Sequence, residues 1–152
     1  MTTEWFFDDF TVGQVHPTMG RTVTEADVVN FVGLSGVFEE LFVNAEFARD
    51  SSLFAGRAVP GLLILLFAEG LWVQSGRSHK GRAYLGLDEL RIVAPVIVND
   101  TLWVDVTVEE ARRSTSRPEY GVLVLRHRVR NQRDEEVMSY KTARMLESRS
   151  AE

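Results

Sequence analysis

The stretch Gly61 to Gly76, GLLILLFAEGLWVQSG, decides the fold. Between Leu62 and Val73 only Ala68, Glu69 and Gly70 interrupt large apolar side chains, so a helix here is hydrophobic nearly all round and belongs in an interior. The run falls short of the roughly eighteen apolar residues of a membrane span and carries Glu69 inside it, which predicts a core helix, not a transmembrane one. A buried helix needs a wrapper. The chain beyond it supplies one, in three or four long segments with strand alternation and few helix signals.

Downstream, QSGRSHKGR is a polar surface connection that holds His79. A strand is predicted from Ala83 to Ile97, with Pro95 near its end and a turn at Asn99 and Asp100. In TLWVDVTVEE, residues Leu102, Val104, Val106 and Val108 share one face. After the polar turn RRSTSRPEYG, residues Leu123, Leu125, His127 and Val129 alternate with Val124, Arg126, Arg128 and Arg130. NQRDEE is the next hairpin turn, VMSYKTARMLE the last strand, and SRSAE an expected frayed tail. A long antiparallel sheet curled round one apolar helix is a two-layer α+β arrangement.

Upstream, EWFFDDFTVGQV over residues 4 to 15 predicts a short edge strand and a turn, its aromatics packed on the core. RTVTEADVVNFVGLSG predicts a helix capped by Thr24, with Glu25 and Asp27 in its first turn and Gly36 as its stop. Its apolar stripe is Val28, Phe31 and Val32, with Val29 beside it. VFEELFVNAEFARDSSLFAGRAVP has no regular period, although Asn44 is placed to cap a short helix through Ala48.

At 152 residues the chain is read as one domain, 1–152, large enough for a core without staples. It has no cysteine, hence no disulfide framework and no thiol nucleophile, and its first residues lack the basic and apolar regions of a signal. A cytoplasmic setting is expected. A net charge of -5 argues against general nucleic-acid binding, although RHRVRNQR forms a local basic row. That row suits either the phosphates of coenzyme A and the acidic face of a carrier protein, or cross-strand pairing with Asp105 and Glu109. His16 in a leader loop, His79 and His127 have no ligand-like spacing, so no metal site is expected, and His127 reads as a packed core histidine. GRAVPG lacks the lysine and the preceding strand of a phosphate cradle.

Three pieces in order, RTVTEADVVNFVGLSG, then NAEFARDSSLFAGRAVPGLL, then RIVAPVIVNDTLWVDVTVEEARRS followed by VRNQRDEEV, resemble the MaoC-like acyl dehydratases and (R)-specific enoyl-CoA hydratases along nearly the whole chain. The resemblance implies a hot-dog fold, a sheet wrapped around the long helix, without a cofactor. It also implies pairing of two such units, as a homodimer or with a hot-dog homologue, and an acyl thioester of coenzyme A or a carrier protein bound at their interface. Members of the family carry a D-x-N-P-x-H motif after the first helix, whose Asp and His share the proton transfers. Aligned by FVGLSG and AEFA, those positions here are Val37, Glu39, Glu40 and Phe42. Neither valine nor phenylalanine moves a proton.

The family's HG pair reads Pro60-Gly61, so Gly61 either presents its amide to a thioester oxygen or serves only a tight turn. Val37, Phe42, Asn44, Pro60 and Gly61 fall on the substrate side of the implied site, Asn44 either as a helix cap or as a polar contact. Glu39 and Glu40 are the candidate replacements for the lost acid and base, if the surrounding apolar residues raise their pKa values; a solvated turn is the plainer account. Three functions stand open: a divergent hydro-lyase using Glu39 or Glu40, a non-catalytic subunit paired with an active homologue, and a reshaped pocket for a non-thioester molecule in an isomerase or cyclase.

Overall fold

The computed structural model describes residues 4–50, 53–54 and 56–149. Its strands are β1 (Val15–Pro17), β2 (Arg21–Thr22), β3 (Gly81–Ile92), β4 (Thr101–Arg113), β5 (Tyr120–Arg130) and β6 (Glu136–Glu147). Its helices are α1 (Glu25–Ser35), α2 (Glu40–Val43), α3 (Ala45–Asp50) and α4 (Gly61–Gln74), with a short 3-10 helix at Phe7–Asp9. The strands form one antiparallel sheet in the order β1-β4-β5-β6-β3, β2 also pairing with β4. Strand β3 forms one edge of the sheet, and β1 and β2, both on β4, form the other. Wrapped on α4, the sheet makes the expected α+β hot-dog unit.

Alternation does the wrapping. Leu102, Val104, Val106 and Val108 of β4, with Leu123, Leu125 and Val129 of β5 and Met138 and Tyr140 of β6, are buried on the face toward α4. The helix meets them with Leu63, Ile64, Phe67, Ala68, Leu71 and Trp72. Its other face corrects the reading of a helix buried all round: Leu62 is 58% exposed, Leu66 57% and Val73 47%. One curved layer covers only one side of a cylinder.

The outer face of the sheet is ionic. Arg126 pairs with Glu109 and, at 2.8 Å, with Glu89; Lys141 reaches Glu109 at 2.9 Å and Glu89 at 3.1 Å; Arg130 reaches Asp105 at 3.1 Å. Arg128 lies 3.5 Å from Asp105, and Arg133 pairs with Glu135 at 2.9 Å. Each arginine of the basic row thus has a carboxylate neighbour, as cross-strand pairing requires.

The cap predictions hold. Thr24 Oγ1 accepts from the Asp27 amide at 3.2 Å while Asp27 accepts from the Thr24 amide at 2.8 Å, a capping box, and Gly36 closes α1 at φ 75°. Val28 and Val32 are buried, and Val29 faces solvent. Strand β3 ends at Ile92, earlier than expected, because the chain around Pro95 leaves the sheet and pairs with the segment leading into α4: the Val59 amide donates to Val96 O at 2.8 Å. The predicted frayed tail is tied down at Ser148 and Arg149. Asp8 accepts from the Ser148 hydroxyl at 2.7 Å and the Arg149 amide at 2.8 Å. The rest of that tail lies outside the described residues.

His16 is likewise not in a loop. It belongs to β1 and is buried among Trp5, Phe10 and Trp72, its ring 5.4 Å from Trp5 and 6.1 Å from Trp72. Burial, then the Arg77 cation, lowers its pKa. His127 is the packed core histidine expected from its face: it stacks on Tyr140 at 4.3 Å and its Nε2 lies 3.1 Å from the Thr142 hydroxyl. Burial, with Arg144 adding to it, pushes its pKa down to about 3.

Candidate functional site

The irregular segment between α1 and α4 builds the site. After Gly36 the chain turns through Val37 and Phe38 into α2, whose carbonyl ends would point into apolar surroundings without a cation nearby. Arg57 supplies it. Its Nε donates to Phe42 O at 2.7 Å, Nη2 donates to the same oxygen, and Nη1 pairs with Glu25 of α1. One guanidinium therefore fixes α1, α2 and the approach to α4 in a single arrangement. The only charge between Asp50 and Glu69 in the sequence was the available signal for it.

Pro60 is buried and precedes the first turn of α4, where its carbonyl accepts from the amides of Leu63 at 2.9 Å and Ile64 at 3.2 Å. The amides of Gly61 and Leu62 are left without a partner inside the helix, at its positive end. Beside them lies a hollow of about 150 Å³ lined by Phe42, Phe54, Gly61, Ile64, Ile92 and Val96, among others. Every described lining residue is apolar. A Cβ on Gly61 would run into the Ile92 side chain, so glycine here lets β3 approach the helix end.

Of the residues singled out in the sequence, Phe42 and Gly61 line this hollow, Pro60 starts its helix and Val37 packs against the core next to it. Asn44 is a cap: its Oδ1 accepts from the Phe47 amide at 3.1 Å, and its amide donates to Glu40 at 3.2 Å. Glu39 and Glu40 stand at the head of α2 with their side chains toward solvent. The described residues of the chain do not enclose either carboxylate in apolar surroundings.

Farther along α4 sits a group that the sequence did not single out. Glu69 accepts from the Tyr140 hydroxyl at 2.8 Å and pairs with Arg144, which lies over the Tyr84 ring at 4.8 Å. Burial, then the Glu69 charge, drives the Tyr140 phenol far above its ordinary range, so it stays a donor. Glu69 is therefore the paired polar anchor of an otherwise apolar helix.

The family model described as MaoC like domain matches residues 9–128. Protein MaoC of Klebsiella aerogenes is 35% identical over 103 residues, 67% of this chain and 30% of its own length. The mesaconyl-CoA hydratase of Haloarcula marismortui is 27% identical over 146 residues, 95% of this chain and 40% of its own. The chain thus spans less than half the length of either relative. Among solved structures, the MaoC-like dehydratase from Rhodospirillum rubrum superposes with a TM-score of 0.83 at 28% identity, over 96% of this chain and 99% of that one.

Proposed function

The chain belongs to the MaoC-like dehydratase and hydratase family, and from that premise we propose that it is an acyl-thioester-binding hot-dog subunit that brings no acid/base pair of its own. The thioester, of coenzyme A or a carrier protein, sits with its acyl group in the hollow beside Gly61, its carbonyl oxygen turned toward the amides at the head of α4. Val37, Phe42, Pro60 and Gly61 shape that end of the site, and Asn44 holds α3 in place behind them. The observation that supports this reading is the wholly apolar described lining of the hollow, which includes Phe42, the residue that the resemblance aligns with the family's histidine.

Addition of water to a conjugated thioester needs a base for the water and an acid for the carbon. In this reading those groups come from a second hot-dog unit, an active homologue with Asp and His, docked on the exposed stripe of α4 and the free edge of β3. The pair works in the cytoplasm, the setting expected of a cysteine-free chain. The same apolar lining also suits the second reading, a non-thioester apolar ligand.

One experiment separates these readings: titration of the purified chain with a saturated acyl-CoA, alongside a hydration assay with short and medium enoyl-CoA thioesters. The expected result is saturable thioester binding without turnover, both unchanged in a Glu39→Gln, Glu40→Gln double variant. Turnover by the chain alone that disappears in the double variant would give the proton work to those glutamates. Absence of thioester binding would leave the non-thioester reading.

A further inference from the structure

A second hollow, of about 360 Å³, opens at the other end of α4. Trp72 is eleven residues beyond Gly61, which places this hollow roughly 17 Å along the helix from the first. Its floor is apolar: Trp72, Leu123, Leu125 and Leu146. Its polar side is cationic, with Arg77, Arg82 and Arg144, and no carboxylate is among the residues that line it.

Two of these cations are already satisfied, Arg82 by Glu147 and Arg144 by Glu69. Arg77 is not. Among the described residues it makes no ion pair; its guanidinium carbon lies 5.4 Å from the Trp5 ring, and its buried Nε has no hydrogen-bond partner. The indole Nε1 of Trp72 is also buried without an acceptor. Buried donors left without a partner are costly, and natural structures rarely keep them without a use. Arg77 is close enough to His16 to help hold that ring neutral, so its charge is felt inside the core.

We infer that this hollow binds a small amphiphilic carboxylate, its hydrocarbon part on Trp72, Leu123 and Leu125 and its carboxylate on Arg77. The flat fork of the guanidinium matches a carboxylate. At about 30 Å³ for each water-sized unit, the space takes roughly ten non-hydrogen atoms, the size of a medium-chain fatty acid. The inference is independent of any thioester bound at the head of α4.

The test is calorimetric titration of the full chain with octanoate and with octanamide, which match in size and differ in charge. Octanoate is expected to bind at least about tenfold more tightly than the amide, the range of a charge-assisted contact. Arg77→Met should abolish that preference with at most a small fall in melting temperature, since the guanidinium it removes has only its place over the Trp5 ring to lose and no ion pair among the described residues. Ala83→Leu, which narrows the hollow and leaves the charges alone, should weaken both ligands. Saturated acyl-CoA should not compete with octanoate. Equal binding of the two ligands, no binding at millimolar octanoate, an unchanged preference in Arg77→Met, or displacement by acyl-CoA would each overturn the inference. A failure to bind thioester would leave it standing.

Discussion

At the scale of single residues, two positions set measurable costs. At Gly61 the terminal methyl of Ile92 occupies the space a Cβ would need. Ile92 is 59% exposed and can turn aside, so Gly61→Ala should destabilise the chain by no more than about 1 kcal/mol, the cost of moving one side chain off its preferred rotamer. Adding Ile92→Ala should recover most of that loss in chemical denaturation, because the clash is with that one side chain; no recovery would place the strain elsewhere. His127 imposes a pH dependence. Its pKa is about 3 in the folded chain against an ordinary 6.5, so the unfolded chain takes up a proton first as pH falls. The stability that His127 contributes is complete above pH 6.5 and is lost between 6.5 and 3, by up to about 1.4 kcal/mol per unit. Of the stability lost between pH 7.5 and 5, His127 alone is expected to account for about 2 kcal/mol. The slope should shrink in His127→Gln and not vanish, since His16 is lowered in the same sense. A flat profile in the parent chain would refute this account.

At the scale of elements, what could be read early was whatever a local period or cap decides. The β4 stripe of Leu102, Val104, Val106 and Val108, the Thr24 capping box, the Gly36 stop and the Asn44 cap each depend on residues a few positions apart, and each stands where it was expected. Readings that depended on distant neighbours fared differently. His16 carries no periodic signal for burial, because its cover comes from Trp5 and Phe10 on either side of the short 3-10 helix and from Trp72 of the distant α4. Arg57 looks like a loop charge until α1 and α2 close on it. Glu69 interrupts an apolar run, and only β6, more than seventy residues later, gives it Tyr140 and Arg144. The candidate site was legible as a set of positions through the resemblance. Its apolar lining was not, since Phe54, Ile92 and Val96 come from segments with no shared pattern.

For the molecule as a whole, the main question is what covers the side of α4 that the sheet leaves bare. Leu62, Leu66 and Val73 on the helix and Tyr84, Leu85, Leu87 and Ile92 on β3 are all exposed in the single chain, and β3 is also an edge with unpaired backbone groups. A sheet edge of that kind is a template for pairing, and an apolar face continuous with it is what a stable interface needs at its centre. In isolation the chain is therefore expected to self-associate as a twofold pair, each copy using the same patch. Leu66→Glu combined with Tyr84→Glu should convert it to a monomer in sedimentation at tens of micromolar, because two charges would be buried at the centre of the contact. Leu66 is 57% exposed, and Tyr84, 49% exposed, loses only its stacking under Arg144, so the far-ultraviolet circular dichroism of the variant should stay that of the parent. If the parent sediments as a monomer at the same concentration, this face is not a self-pairing surface, and its cover must come from a different chain. Should the double variant remain paired, the contact must lie on another face, and the exposed stripe of α4 loses its role in assembly.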